Sequence, residues 1–124
     1  MNPVTHSLLK QVQDAELEAF VQLWDALEAL VIRVYKGKAA AVEDREEHSR
    51  LRAALQVRYP RWQPVLDPHW RRARLAGELA REDPFRFLLQ IEDAAGFAGS
   101  WTAMQSLPAA REALNAYLLE RIQA

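Results

Sequence analysis

The chain contains no cysteine, and this absence excludes a disulfide framework, thiol catalysis and cysteine-based redox sensing. Glycine and proline are also scarce, at 4 and 6 residues, which excludes collagen-like and low-complexity chains. Uninterrupted apolar runs are only four residues long, as in 29–32, whereas a membrane-spanning helix needs about 20. Residues 1–10 also lack the basic and apolar regions of a secretion signal. We therefore expect a cytoplasmic protein that does not cross a membrane.

What is present is a balanced globular composition, with 50% hydrophobic and 27% charged residues in 124. A chain of this length buries roughly two-thirds of the surface that it exposes when unfolded, which is enough for one hydrophobic core. The sequence therefore predicts a single domain over residues 1–124.

Apolar residues recur at helical spacing along most of the chain, and no segment alternates with period two over a useful length. This pattern predicts an all-α fold: a compact, bundle-like domain of about five helices with a long N-terminal helix as its spine. That first helix is expected over 3–36, with either a break near Asp14 or a projecting end. The apolar seam of its second half comprises Phe20, Leu23, Leu27, Leu30 and Val34.

Prolines and capping residues set the other predicted boundaries. A second helix is expected over 38–59, ending before Pro60, and 61–66 reads as a loop. Asp67 and Asp83 each precede a proline, which predicts capped helices over 68–81 and 84–97. A short turn over 101–105 and a last helix capped by Ser106 complete the prediction.

The length of the first helix raises the question of self-association. A continuous helix over 3–36 would measure about 50 Å at ~1.5 Å per residue. A compact domain of this size has a diameter of only about 35 Å. An unbroken helix would leave part of its seam uncovered, and this favours a homodimer.

Charge is unevenly distributed, although the net charge is only −1. Residues 1–49 carry a net −4, 50–74 a net +6 and 75–124 a net −3. Such a sequence gives a dipolar surface if the segments occupy separate faces. The alternative is that the helices fold back and pair these charges with one another.

The most unusual composition lies at 58–74, where arginines alternate with aromatic residues. Guanidinium groups that bind phosphate or carboxylate, next to rings that stack, are the groups that an anion or nucleic-acid site uses. The structural alternative is that Trp62 and Trp70 are core anchors at a helical corner. The candidate binding residues are Arg58, Arg61, Trp62, His69, Trp70, Arg71, Arg72 and Arg74.

Catalytic and metal-binding signatures are weak. Asp44 and His48 lie four residues apart, but a Glu-x-x-His motif would need an acid where Arg45 stands. His48 is therefore interpreted as a histidine at the edge of the core. Glu92 follows an apolar line, so we expect it to be partly buried and paired with an arginine. The sequence predicts no catalytic residue, no metal and no cofactor.

These observations favour a non-enzymatic interaction protein or adaptor that works through its helix faces, with a protein partner or a second copy of itself. The alternative is an anion or nucleic-acid binding protein that uses segment 58–74.

Overall fold

The computed structural model describes residues 2–75 and 82–124, except for the side chains of residues 73–75. Five α-helices span Pro3–Val12 (α1), Ala15–Gly37 (α2), Val42–Leu75 (α3), Pro84–Leu89 (α4) and Trp101–Gln123 (α5). A 3₁₀ helix covers Ala94–Phe97. The described residues contain no strand, and the predicted all-α fold of about five helices is confirmed.

The predicted break near Asp14 is present. Gln13 adopts a left-handed conformation with φ 55°, which ends α1, and the Asp14 carboxylate accepts hydrogen bonds from the N–H groups of Glu16 and Leu17. The long N-terminal helix is therefore two helices. The second, with 23 residues, is about 35 Å long and fits a compact domain.

The break removes the reason for expecting an exposed seam on this helix. Phe20, Leu27, Leu30 and Val34 are at most 1% exposed, because α3, α5 and the 3₁₀ helix cover them. The chain itself covers the seam that suggested a homodimer, apart from Leu23, which is half-buried.

Aromatic rings form the centre of the core, where α2, α3 and α4 meet. The Phe85 ring lies 4.8 Å from Trp24, 5.6 Å from Tyr59 and 6.3 Å from Phe20, measured between centroids. Trp62 extends this cluster to Tyr117 on α5, with a centroid distance of 6.3 Å. Every α-helix contributes at least one buried apolar side chain to the same core.

The boundaries predicted from the middle prolines are wrong. α3 runs without interruption through Pro60, Pro64 and Pro68, so 61–66 is helix rather than loop. These prolines are four residues apart and all exposed, so the carbonyl groups left without donors lie on the solvent side. The opposite side buries the large residues Leu51, Leu55, Tyr59, Trp62, Leu66 and Trp70. Burial of these side chains outweighs the local preference to end the helix.

The Asp67 cap is also absent, because Asp67 lies within α3. Its carboxylate accepts a hydrogen bond from the Trp70 indole N–H at 2.9 Å instead of capping a new helix. The helix predicted over 68–81 includes residues 76–81, which lie outside the described residues.

Asp83 does cap α4, as predicted, by accepting from the N–H groups of Phe85 and Arg86 at 3.0 and 3.2 Å. The helix ends at Leu89, however, rather than reaching residue 97. Side chains of Arg52 and Gln56 on α3 donate to the Leu89 carbonyl at 2.7 and 3.2 Å. These two side chains therefore occupy the Leu89 carbonyl, which would accept a backbone hydrogen bond if α4 continued for another turn.

The final helix begins earlier than predicted. Ser100 caps it by accepting from the Ala103 N–H at 3.2 Å, and Ser106 instead lies inside α5, where its hydroxyl donates to the Thr102 carbonyl. Pro108 is exposed within the helix, as the prolines of α3 are. No helix of the described residues combines the length and apolar character needed to cross a membrane.

Replacing Pro64 by alanine tests how α3 tolerates its prolines. Pro64→Ala restores an N–H donor in an exposed helix interior, so the free energy of unfolding should rise by about 1–3 kcal/mol. Denaturant titration followed by circular dichroism measures this change. As a control, Pro3→Ala at the exposed first position of α1 should change stability by no more than about 0.5 kcal/mol. A less stable Pro64→Ala variant would contradict this account and show that the unfolded-chain effect of proline dominates.

Candidate docking surface on helix α3

The arginine–tryptophan segment lies entirely on α3, and the helix separates its two residue types. Trp62, His69 and Trp70 are only 5%, 8% and 6% exposed, since they continue the buried side of the helix. Arg58, Arg61, Arg71 and Arg72 are exposed. The side chain of Arg74 lies outside the described residues. The tryptophan rings therefore lie mostly in the core and expose little surface on which a base could stack.

Some of the exposed arginines are paired within the chain. Arg61 forms an ion pair with Glu16 of α2, and its guanidinium lies 5.0 Å from the centre of the Trp62 ring. Arg71 lies 3.6 Å from the Asp67 carboxylate. Arg58 and Arg72 have no carboxylate partner among the described residues. Internal pairing thus neutralises part of the basic segment and leaves part of it available.

His69 joins α3 to α5. Its Nε2 lies 3.0 Å from a carboxylate oxygen of Glu120, and its ring centre is 6.4 Å from that of Tyr117. The histidine is therefore turned towards the neighbouring helix and away from the exposed arginines.

A groove of about 470 Å³ separates the start of α2 from the middle of α3. Val57, which is 79% exposed, lies at this groove, and the ion pair between Glu16 and Arg61 joins its two sides. The walls of the groove are largely apolar, and the guanidinium groups of Arg58 and Arg61 lie on its α3 side. The lining residues are Ala15, Glu16, Ala19, Val57, Arg58, Arg61 and Trp62.

Sequence reasoning missed Val57, although a signal was present. Residues 51, 55 and 59 form the buried line of α3, and Val57 falls between two of them on the other side of the helix. The sequence thus placed an apolar, β-branched residue opposite the buried line and next to Arg58. The part played by Ala15 and Ala19 required the tertiary structure, because they come from another helix.

Two further cavities, of about 250 and 420 Å³, lie between α3 and α4 and share Gln63, Arg86 and Gln90. Tyr59 and Asp83 contribute to their walls, and the Tyr59 hydroxyl donates a hydrogen bond to Asp83. Burial raises the pKa of Tyr59 well above its usual range, and burial also raises the pKa of Asp83. Both Asp83 oxygens are engaged, one by Tyr59 and one by the start of α4, so this carboxyl holds two helices together.

A buried polar network that the sequence reading missed connects α1, α2 and α5. The Arg111 guanidinium contacts carboxylate oxygens of Asp25 at 2.5 Å and Glu28 at 3.0 Å, and it donates to the Thr5 hydroxyl at 3.2 Å. Arg111 is 8% exposed. Its position between buried Ala110 and Leu114 in the sequence is the signal that could have identified it.

The remaining candidate residues from the sequence are His48, Asp44 and Glu92. His48 is 1% exposed, and its ring meets Phe97 edge-on at 5.1 Å, so it lies within the core rather than at its edge. Asp44 pairs with Arg33 instead of joining His48, and the described residues contain no group of three metal-ligating side chains. Glu92 is exposed, contrary to the expectation of partial burial, because α4 ends before it.

His48 should make stability depend on pH. Burial, reinforced by the nearby Arg52, lowers its pKa from 6.5, with a smaller opposing effect of Asp93. Below pH 6.5 the unfolded chain takes up a proton that the folded protein does not, so the stability that neutral His48 contributes is lost as the pH falls. Denaturant unfolding between about pH 7 and about pH 5 should show this slope, and His48→Leu should reduce it.

A matched variant separates titration from packing. Phe97→Leu weakens the ring contact but keeps the histidine, so it should lower stability at every pH and retain the wild-type slope. An unchanged slope in His48→Leu would contradict the assignment.

No known protein family, curated protein or solved structure matches this chain. Its function is therefore inferred from the placement of its side chains. Among the surfaces described above, the α2–α3 groove combines an exposed apolar residue with available positive charge.

Proposed function

We propose that the chain is a non-enzymatic interaction protein that docks an apolar, acidic segment of a partner protein in the α2–α3 groove. The observation that carries this proposal is the 79% exposure of Val57 beside Arg58 and Arg61. Buried apolar anchors surrounded by polar contacts are the usual source of affinity in protein interfaces.

The apolar part of the partner would lie between the two helices. Ala15 and Ala19 are small and let a side chain approach α2 closely, while Val57 and Trp62 line the α3 side. A groove of about 470 Å³ falls in the size range of sites that hold a few side chains or a small ligand. Covering Val57 would remove its apolar surface from water, which favours association.

The acidic part of the partner follows from the charges at the groove. Arg58 has no carboxylate partner among the described residues, and its guanidinium donates only to the Ala54 carbonyl. Arg61 is paired with Glu16, but both side chains are more than half exposed. Exposed pairs of this kind contribute about 0–1 kcal/mol, so a partner carboxylate can replace Glu16 at little cost.

The same groove supports binding rather than catalysis. Its lining includes no histidine, and its one carboxylate, Glu16, is exposed and paired with Arg61. The acid with a raised pKa, Asp83, lies in the separate cleft between α3 and α4, where the fold uses both of its oxygens.

A designed peptide tests the proposal. The probe is a synthetic helical peptide with leucines along one face and glutamates beside them, and its binding is measured by fluorescence anisotropy. Val57→Glu should weaken binding about tenfold or more, because it replaces the apolar contact by a repelling charge. Glu16→Gln should tighten binding by about two- to fivefold, because Arg61 is released.

Leu119→Glu on α5 is the matched control, since it introduces the same charge at another exposed apolar position and should leave peptide binding unchanged. Equal binding of a peptide whose glutamates are replaced by glutamine would contradict the charge argument. An unaffected Val57→Glu variant would exclude the groove as the site.

A polyanion is the second candidate partner, and the spacing of arginines along α3 supports it. Arg50, Arg61 and Arg72 are exposed and recur every 11 residues, which is about three helical turns, so they lie along one side about 16 Å apart. Asp67 is the only acid between residues 50 and 72. With the tryptophans buried, such binding would rest on phosphate contacts and would not read base sequence.

Salt dependence tests this second candidate. Affinity for a labelled DNA duplex should fall as salt rises, and replacing both Arg61 and Arg72 by alanine should flatten the log–log slope by about 0.9 per lost phosphate contact. Arg33→Ala serves as the control, because that side chain is held by Asp44 and Glu47. Absence of salt-sensitive binding at ~50 mM salt would exclude this candidate.

A further inference from the structure

The outward side of α5 carries a second surface that the proposed function does not use. Its residues recur at spacings of three and four and are exposed or half-buried along about five turns of helix. We call this surface the α5 stripe; it comprises Trp101, Gln105, Pro108, Glu112, Ala116 and Leu119.

The α5 stripe is unusually poor in charge for a solvent-facing helix surface. Glu112 is its one charged residue, and its two ends carry exposed apolar side chains, Trp101 at 61% and Leu119 at 45%. The opposite side of α5 is buried against α1, α3 and α4. A surface helix normally presents a polar face to water, and large apolar side chains exposed at both ends of such a face mark a contact surface.

We propose that a second copy of this chain packs on the α5 stripe, with the two α5 helices antiparallel and a two-fold axis at the level of Ala110. In a two-fold interface the same patch serves both copies, so the patch must be complementary to itself. The arrangement of the stripe meets this requirement.

The antiparallel register pairs every residue of the stripe with another. Trp101 and Leu119 are each nine residues from Ala110, so Trp101 of one copy meets Leu119 of the second copy, at both ends. Gln105 is five residues before Ala110 and Ala116 is six after it, so the two come within one residue of each other across the interface. The contacts at the two ends of the interface are therefore large and apolar.

The same register keeps the two Glu112 side chains from facing each other directly at the centre. Glu112 of one copy comes opposite Pro108 of the second copy rather than opposite its own equivalent. The other exposed surface described above behaves differently, because the α3 face places Arg58, Arg61 and Arg72 on one side and would repel itself in a symmetric pair. Charge thus assigns the second copy to α5 and the acidic partner to the α2–α3 groove.

The size of the stripe limits the strength of the dimer. From Trp101 to Leu119 it is about 27 Å long, and contact at both ends requires helices that cross at a shallow angle of about 20°. A strip one helix wide covers less than the roughly 800 Å² per partner of a standard stable interface. We therefore expect a dimer that dissociates in the micromolar range or above.

Sedimentation equilibrium between about 5 and about 500 µM should show the apparent mass rising towards that of two chains. Leu119→Glu should remain monomeric over this range, because it places a charge against Trp101 of the second copy. Val57→Glu is the matched control: it introduces the same charge at an exposed valine of α3 and should associate as the wild type does.

Tryptophan fluorescence locates the contact. Trp24, Trp62 and Trp70 are at most 6% exposed, so quenching by iodide reports chiefly on Trp101. Quenching should decrease with protein concentration in parallel with the rise in mass, and it should not do so in Leu119→Glu. Circular dichroism checks that both variants fold.

A wild-type chain that stays monomeric up to about 500 µM would overturn the proposal. So would a dimer that forms equally well in Leu119→Glu, or one in which Trp101 remains fully accessible to iodide. Loss of association in Val57→Glu with retention in Leu119→Glu would instead assign self-association to the groove and refute the α5 stripe. Peptide binding by the groove is a separate measurement, so the two proposals fail independently.

Discussion

Burial of the aromatic cluster formed by Phe20, Trp24, Tyr59, Trp62 and Phe85 is the constraint from which the exposed surfaces of this protein follow. These rings come from α2, α3 and α4 and lie within 4.8–6.4 Å of a neighbouring ring centre. Because α3 continues as a helix past Pro60, Tyr59 and Trp62 lie on the same side of it and both reach the cluster. That continuation places the prolines, Val57 and the arginines on the outside.

Polar groups inside the fold hold this arrangement in place. Arg111 connects three helices through Asp25, Glu28 and Thr5, and Asp83 connects α4 to Tyr59 of α3. Buried charges of this kind need partners, because an isolated one would lose its hydration without compensation.

The two surfaces proposed for interaction differ in the property that selects a partner. The α2–α3 groove offers an apolar residue with positive charge, which favours an acidic partner and opposes self-pairing. The α5 stripe is nearly neutral and apolar at both ends, which favours a second copy. Because the groove includes α2 and α3 and the stripe lies on α5, we propose that the two sites take different partners and that complementary charge selects between them.

Local sequence patterns were sufficient for features that depend on neighbouring residues. Helical periodicity gave the all-α class, and Asp14 and Asp83 marked two helix starts, because capping and periodicity act within a few residues. The composition of 58–74 likewise drew attention to the helix that carries the groove.

Tertiary structure decided the rest. Only contacts between distant segments show that α3 continues through three prolines, that Trp62 and Trp70 are buried while Arg58 is exposed, and that Arg111 meets Asp25. These outcomes depend on which side of each helix the aromatic core occupies, and the free energy of that burial exceeds the local preferences of proline that the sequence displays.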